Sequence, residues 1–376
     1  MTSRKRVIAA MERREVDRVP VIPCLWLNHI ARVAGIPYGR ILAFPAKMYD
    51  AIYRTREFYD ADGMRALILP PPDWRAGTLA REVDGRMTLL SEKTGQPVAF
   101  FDTAGGGAIR LIDKDARILD RRGWQVGRRV ESLRDVKRIP VFSARELHQA
   151  GRTEPLRELV KKVAGRHFVI AFAGGGQTTN PLLDLRGSAQ GLMDLVEDPK
   201  LVDAITDRCT EASVEEAKAL VDVGADAIFF GDSSASSSMI SPEHYRRFCA
   251  PRYRQFVASV RAYAPHVKIY QHCCGNYNPI LETAADEGVD ALHGLDPTEG
   301  MDLADVKRRV GDRVCLFGGV RTLTFLTGAP EDLRAESKEC MAAGGEEGYI
   351  LDAACAIPPQ SPFENIRAMC MAPRDC

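Results

Sequence analysis

Eight short runs rich in β-branched or aromatic residues limit the folds open to this chain more than any other feature. They occupy 19–22, 65–69, 168–173, 227–232, 267–273, 291–295, 314–317 and 348–351, and most are followed by a Gly-, Pro- or Asp-containing break and then an amphipathic stretch. Stretches such as PKLVDAIT from Pro199 and SPEHYRRF from Ser241 read as helices, with proline near the first turn, where its missing N–H costs nothing. Strands that alternate with helices must pair in parallel, because the intervening helix carries the chain back across the sheet. The pattern predicts an α/β fold: a single (β/α)₈ barrel of the TIM type with an N-terminal helical extension. An open doubly wound sheet is the structural alternative, but no Gly-rich dinucleotide fingerprint follows any of the runs. The interval of about 70–166 is too long for one connection. It holds EVDGRMTLL, a hairpin signal around Asp84-Gly85, and then PVAFFDT, so it reads as a β-rich insertion covering the barrel mouth. All of 1–376 is expected to be one domain.

Composition excludes several functions. With 51 Lys plus Arg against 51 Asp plus Glu, nothing calls for a nucleic-acid partner or an anionic membrane. No apolar run is long enough to span a bilayer, and the start, MTSRKRVIAAMERREVDRVP, lacks the apolar stretch of a secretory signal. A cytoplasmic location with reduced thiols is therefore expected. The 10 cysteines are scattered irregularly rather than as a disulfide framework. Each is then either a small packed hydrophobe or a ligand. Cys24, Cys209, Cys249, Cys315, Cys340 and Cys370 take the packing reading, and Cys376 is terminal and expected to be exposed.

The sharpest local feature is QHCCGN, directly after the run VKIY. Side chains alternate along a strand, so His272 and Cys274 share one side and Cys273 takes the other. If that side is the barrel interior, an imidazole and a thiol meet at the C-terminal mouth, where barrel active sites lie. A third ligand would complete a catalytic zinc site with one open position, and Cys355, soon after the last run, is the obvious donor. The alternative is two thiols that merely pack at a strand end.

Four stretches together resemble the uroporphyrinogen decarboxylase superfamily, and within it the corrinoid-dependent methyltransferases. They are RVIAAMERREVDRVPVIP, GADAIFFGDSSASSSMISPEHYRRFCAPRY, HCCGN and YILDAACAIPPQSPFENIRAMCMA. The resemblance runs through nearly the whole chain and is weakest in the insertion. It implies the (β/α)₈ barrel, and in the methyltransferase branch zinc bound through a His-x-Cys-Gly motif and a C-terminal Cys-x-x-Pro cysteine, which fall on His272, Cys274 and Cys355. It also implies transfer of a methyl group between a small molecule, such as a methoxylated aromatic, a methylamine or a thiol, and the cobalt of a corrinoid. The chain has no Asp-x-His-x-x-Gly corrinoid motif, so the corrinoid is expected on a partner protein, with a homodimer as a further form open to the chain.

The competing member of the superfamily is a metal-free decarboxylase of uroporphyrinogen. Such an enzyme holds eight carboxylates with arginines in an Arg-Gln-Ala-Gly-Arg-Tyr type of motif after the first strand. Here that place reads CLWLNHIARVAG, with Arg32 and Arg40 nearby but no paired motif. A third possibility is a non-catalytic protein that only binds a tetrapyrrole or a corrinoid protein. Softer candidates complete the set. Asp232, ending AIFF, is a candidate general acid or base, an orienter of a ligand, or a cap on the following Ser-rich turn. GGGQTTN puts Gln177 and Asn180 where a substrate could be cradled, and Asn276 and Asp296 follow later strands as further candidate substrate contacts. Glu299 beside Asp296 suits a turn equally well, and His29 reads as a satisfied buried histidine. GGVR at 318–321 departs from the Gly-Asn-Val-Asp usual in the family, so no substrate contact is carried over from that loop.

Overall fold

In the computed structural model, which describes residues 1–104, 107–127, 129–173 and 177–375, the chain forms two sheets. The strands are β1 (Gly63–Leu67), β2 (Thr78–Val83), β3 (Arg86–Ser91), β4 (Pro97–Asp102), β5 (Ala108–Leu111), β6 (Phe168–Phe172), β7 (Ala227–Gly231), β8 (Lys268–His272), β9 (Ala291–His293), β10 (Cys315–Phe317) and β11 (Tyr349–Ile350). The larger sheet runs β1-β6-β7-β8-β9-β10-β11, and every neighbouring pair in it is parallel. Each strand is followed by at least one helix, which is the (β/α)₈ barrel architecture.

Seven of the eight predicted strands are present within two residues of their expected bounds. The run at 19–22 is the exception, reduced to a single parallel bridge between Val21 and Leu351. Pro20 lies inside it and Pro23 directly after it, and neither has an N–H to give a ladder. The segment still fills the gap between β11 and β1. The N–H of Leu351 donates to the carbonyl of Pro20 at 2.9 Å, and on the other side the N–H of Asp62 donates to the carbonyl of Val21 at 2.9 Å.

Strands buried on both faces must be apolar on both. Phe168, Ile170, Ala227, Phe229, Tyr270, Ala291, Cys315, Phe317 and Ile350 fill the interior, while Val169, Ala171, Ile228, Phe230, Ile269, Leu292 and Leu316 pack toward the helices. The N-terminal helix Ser3–Met11 places Val7, Ala10 and Met11 against that interior cluster. The smaller sheet, β2-β3-β4-β5, is the expected insertion. Its first hairpin turns at Asp84 and Gly85, with φ of 50° and 72°, the left-handed pair that a two-residue type I′ turn requires. Trp74, Met87, Leu89, Val98 and Phe101 form a small core of its own. Among the described residues no helix is long and apolar enough to cross a membrane.

Candidate metal centre and the cavity beside it

The alternation of β8 decides what enters the barrel. Tyr270 joins the interior cluster, two residues before His272, whereas Ile269 and Cys273 join the outer one. Cys273 is 1% exposed, and burial holds its thiol well above the ordinary range. Past the strand the chain turns through Gly275, at φ 92°, where any Cβ would overlap the hydroxyls of Ser236 and Ser238. That turn brings Cys274 back toward His272. The segment after β11 delivers Cys355 from the other side of the mouth.

The three donor atoms meet. Cys274 Sγ lies 3.2 Å from His272 Nε2 and 3.1 Å from Cys355 Sγ, and Cys355 Sγ lies 3.8 Å from His272 Nε2. All three atoms could ligate one ion. The Cys355 hydrogen bond holds the Cys274 thiol below its ordinary range, while the same bond pushes Cys355 up.

Behind His272 lies a buried polar chain that the sequence reading missed. His272 Nδ1 is 2.6 Å from Nδ1 of His293, and His293 Nε2 is 3.1 Å from Asp352 Oδ2. Asp352 in turn accepts from Arg65 Nη2 at 2.8 Å and from the backbone N–H of Cys24 at 2.6 Å, and Arg65 Nε donates to the Tyr270 hydroxyl at 2.9 Å. Cys24, His293 and Asp352 are close enough to be read as a second donor cluster. Arg65 already supplies the cation that Asp352 needs there, and burial raises the Cys24 thiol to about 12. Burial lowers His293 to about 4, so its imidazole is neutral near pH 7. The signal available in the sequence was period two again: His293 ends β9 beside His272 at the end of β8 in register.

His272 also borders a cavity of about 390 Å³, walled by Trp26, Leu67, Phe172 and Phe229 and by the polar groups of Asn180, Ser233 and Ser234. Its charged lining residues are Arg121 and Asp184. The Arg121 guanidinium stacks 4.8 Å above the Phe172 ring, and none of the hydrogen bonds or ion pairs found among the described residues involves it. Nothing around 121 in the sequence marked it, because the residue arrives from the insertion rather than from a strand end.

The other expected site residues divide. Asn180 lines the cavity and accepts from the N–H of Ser234 at 3.1 Å. Gln177 is fully buried and both its amide atoms lack a partner among the described residues, while Gly174 to Gly176 of that motif lie outside them, as does Cys376. Asn276 and Asp296 are not in the cavity lining. Asn276 accepts from the N–H of Asn278, and Asp296 caps the turn Pro297–Glu299 through the N–H of Thr298 at 2.9 Å. Both side chains serve turns here.

Asp232 serves the end of a helix. Its carboxylate accepts from the N–H groups of Thr178 (2.8 Å), Thr179 (2.9 Å) and Asn180 (2.6 Å), from the Thr178 hydroxyl (2.5 Å) and from the Tyr253 hydroxyl (2.9 Å). It anchors the N-terminus of the helix Thr179–Arg186. Its side chain is taken up by the helix end rather than by the Ser-rich turn. His29 is the satisfied buried histidine expected, 2.7 Å from the Tyr59 hydroxyl.

Comparison with known proteins places this geometry among relatives. The model of the family "Uroporphyrinogen decarboxylase (URO-D)" matches residues 116–375. A methylcobamide:CoM methyltransferase MtaA of Methanosarcina barkeri is 35% identical over 176 residues, covering 46% of this chain and 49% of that one. The chain thus spans about half the length of that relative. A uroporphyrinogen decarboxylase of Chlorobium luteolum is 27% identical over 266 residues, covering 68% and 73%. Among solved structures, a methyltransferase from Methanosarcina mazei superposes over 100% of this chain and 99% of its own with a TM-score of 0.74 at 24% identity, a likeness of fold.

Proposed function

Because the chain belongs to the uroporphyrinogen decarboxylase family, we propose that it works as a zinc-dependent methyltransferase, moving a methyl group between a small methylated compound and the cobalt of a corrinoid on a partner protein. The observation that carries this reading is the meeting of His272, Cys274 and Cys355 beside the cavity. Two sulfurs and an imidazole are a donor set that zinc favours, and zinc's bond lengths in a tetrahedron call for ligand separations of roughly 3.5–3.8 Å. The observed 3.1–3.8 Å needs only small side-chain adjustments. Zinc held there would supply Lewis acidity to the heteroatom that gives or receives the methyl group.

The chain's own groups do the rest. Trp26, Phe172 and Phe229 exclude water and pack the apolar body of a substrate. Arg121, which makes no hydrogen bond among the described residues, is placed to pair an acidic or carbonyl group on that substrate. The same lining argues against a uroporphyrinogen decarboxylase, since one arginine facing one aspartate leaves eight carboxylates without countercharge. We read all of 1–376, the insertion included, as one unit serving this site.

Mixing the zinc-loaded protein with a corrinoid protein and a panel of methoxyarenes, methylamines and methylthiols tests the reading. Cobalt spectra should change with at least one donor or acceptor. An unchanged spectrum across the panel would overturn the reading and favour a non-catalytic binding protein. With a responsive acid-bearing substrate, Arg121→Gln should raise KM about 10–100-fold with a smaller change in kcat, the worth of one charge-assisted hydrogen bond. An unchanged KM would remove Arg121 from substrate binding.

A further inference from the structure

We propose that His293 is a positioning residue that sets the tautomer of His272, so that Nε2 of His272 faces the two thiols as a bare lone pair. The argument runs along the buried chain from Asp352. His293 Nε2 has two neighbours within hydrogen-bond distance, Asp352 Oδ2 at 3.1 Å and the carbonyl of Ala353 at 3.2 Å. A carbonyl can only accept. Asp352 is surrounded by donors, namely Arg65 Nη2 at 2.8 Å and the N–H groups of Cys24 (2.6 Å) and Ala353 (2.7 Å), so it too is an acceptor. The proton on His293 must therefore sit on Nε2, and because Arg65 already balances the Asp352 charge a second buried cation would have no counterion, so the ring is neutral and its Nδ1 accepts. The neighbour at 2.6 Å, Nδ1 of His272, must then be the N–H donor. Its Nε2 is left unprotonated, 3.2 Å from Cys274 Sγ.

The reverse tautomer would put a proton where a metal has to bind. A backbone device holds the two rings together. Gly294, at φ 103°, follows His293, and a Cβ there would overlap the carbonyl of Cys273 and come within 3.4 Å of His272 Nδ1. His293 is fully buried, packed edge-on against Tyr270 and Phe317 with ring centroids 5.9 and 5.1 Å away, so it has one orientation open to it. A partner that fixes a ligating histidine in this way typically contributes 10–100-fold in metal affinity. This inference rests on the zinc reading only for that last consequence.

Its direct test therefore uses the metal-free protein. Long-range ¹H–¹⁵N spectra of histidine-labelled protein, with His272 assigned by its loss in His272→Gln, should show His272 protonated on Nδ1. Asp352→Asn replaces an acceptor with an amide that can donate to His293 Nε2, which turns the chain around and should move the His272 proton to Nε2. Zinc affinity, measured against a competing chelator, should fall about 10–100-fold in Asp352→Asn and in His293→Phe. His293→Gln, whose side-chain oxygen can still accept, should recover part of that loss. A wild-type His272 protonated on Nε2 would overturn the proposal. So would a His293→Phe or Asp352→Asn protein, folded by its circular dichroism, that binds zinc as tightly as wild type. If the wild-type tautomer is as stated but the protein takes up no zinc, the methyltransferase reading fails and the positioning role of His293 stands.

Discussion

Cys355→Ala and Cys274→Ala proteins are expected to bind zinc at least about 100-fold more weakly than wild type, since each removes one of three protein ligands from a site worth on the order of 10 kcal/mol. Methyl transfer should fall with the metal, by about 10³-fold or more, because the Lewis acid and the group it polarises are lost together. Cys273→Ala is the matched control. Its thiol faces the helices and makes a 3.5 Å contact to the carbonyl of Cys274. It should keep its zinc and lose only about 1 kcal/mol of stability, the usual scale for deleting one small buried group. Elemental analysis of the three purified variants decides the matter. Full zinc in both Cys274→Ala and Cys355→Ala would sink the ligand assignment, and loss in Cys273→Ala would mean that the alternation of β8 does not hold at its end.

The contrast between these neighbours shows why so much of the site could be read from the chain. Period two in a strand is a local rule, so it separates Cys273 from Cys274 without any knowledge of the rest of the molecule. The same rule, applied to runs between breaks, located seven strands. It failed at 19–22, where two prolines remove ladder donors and the carboxylate of Asp62 accepts the N–H of Val21 in place of a neighbouring strand. Residues whose roles depend on a distant partner were not legible. Asp352 sits next to Ala353 in an apolar run, yet its partners are Arg65 and His293, 287 and 59 residues away. Arg121 reaches the cavity from an insertion whose placement no periodicity reports. Asn276 and Asp296 show a local use as well: a polar residue after a strand can serve the turn itself, and these side chains do.

Asp232→Ala is expected to cost about 3–5 kcal/mol of stability, seen as a fall in Tm on the order of 10 °C. Three backbone N–H groups at the start of Thr179–Arg186 and the Tyr253 hydroxyl would lose their acceptor in a place water does not reach, since Asp232 is 1% exposed. Each stranded donor costs about 1–3 kcal/mol, less when several relax together. Asp232→Asn should recover little, because its NH₂ would face donors on one side. The loss should also spread to the metal site, as the N–H of Asp232 donates to the carbonyl of His272 at 2.9 Å and ties the helix anchor to the end of β8. Zinc should still bind at low temperature, where the fold persists, and kcat measured there should fall less than tenfold. A catalytic acid or base would behave in the opposite way. If Asp232→Asn keeps the wild-type Tm while kcat drops by about 10² or more, the carboxylate moves a proton in the reaction, and its five hydrogen bonds to the helix, Thr178 and Tyr253 must open for it to do so.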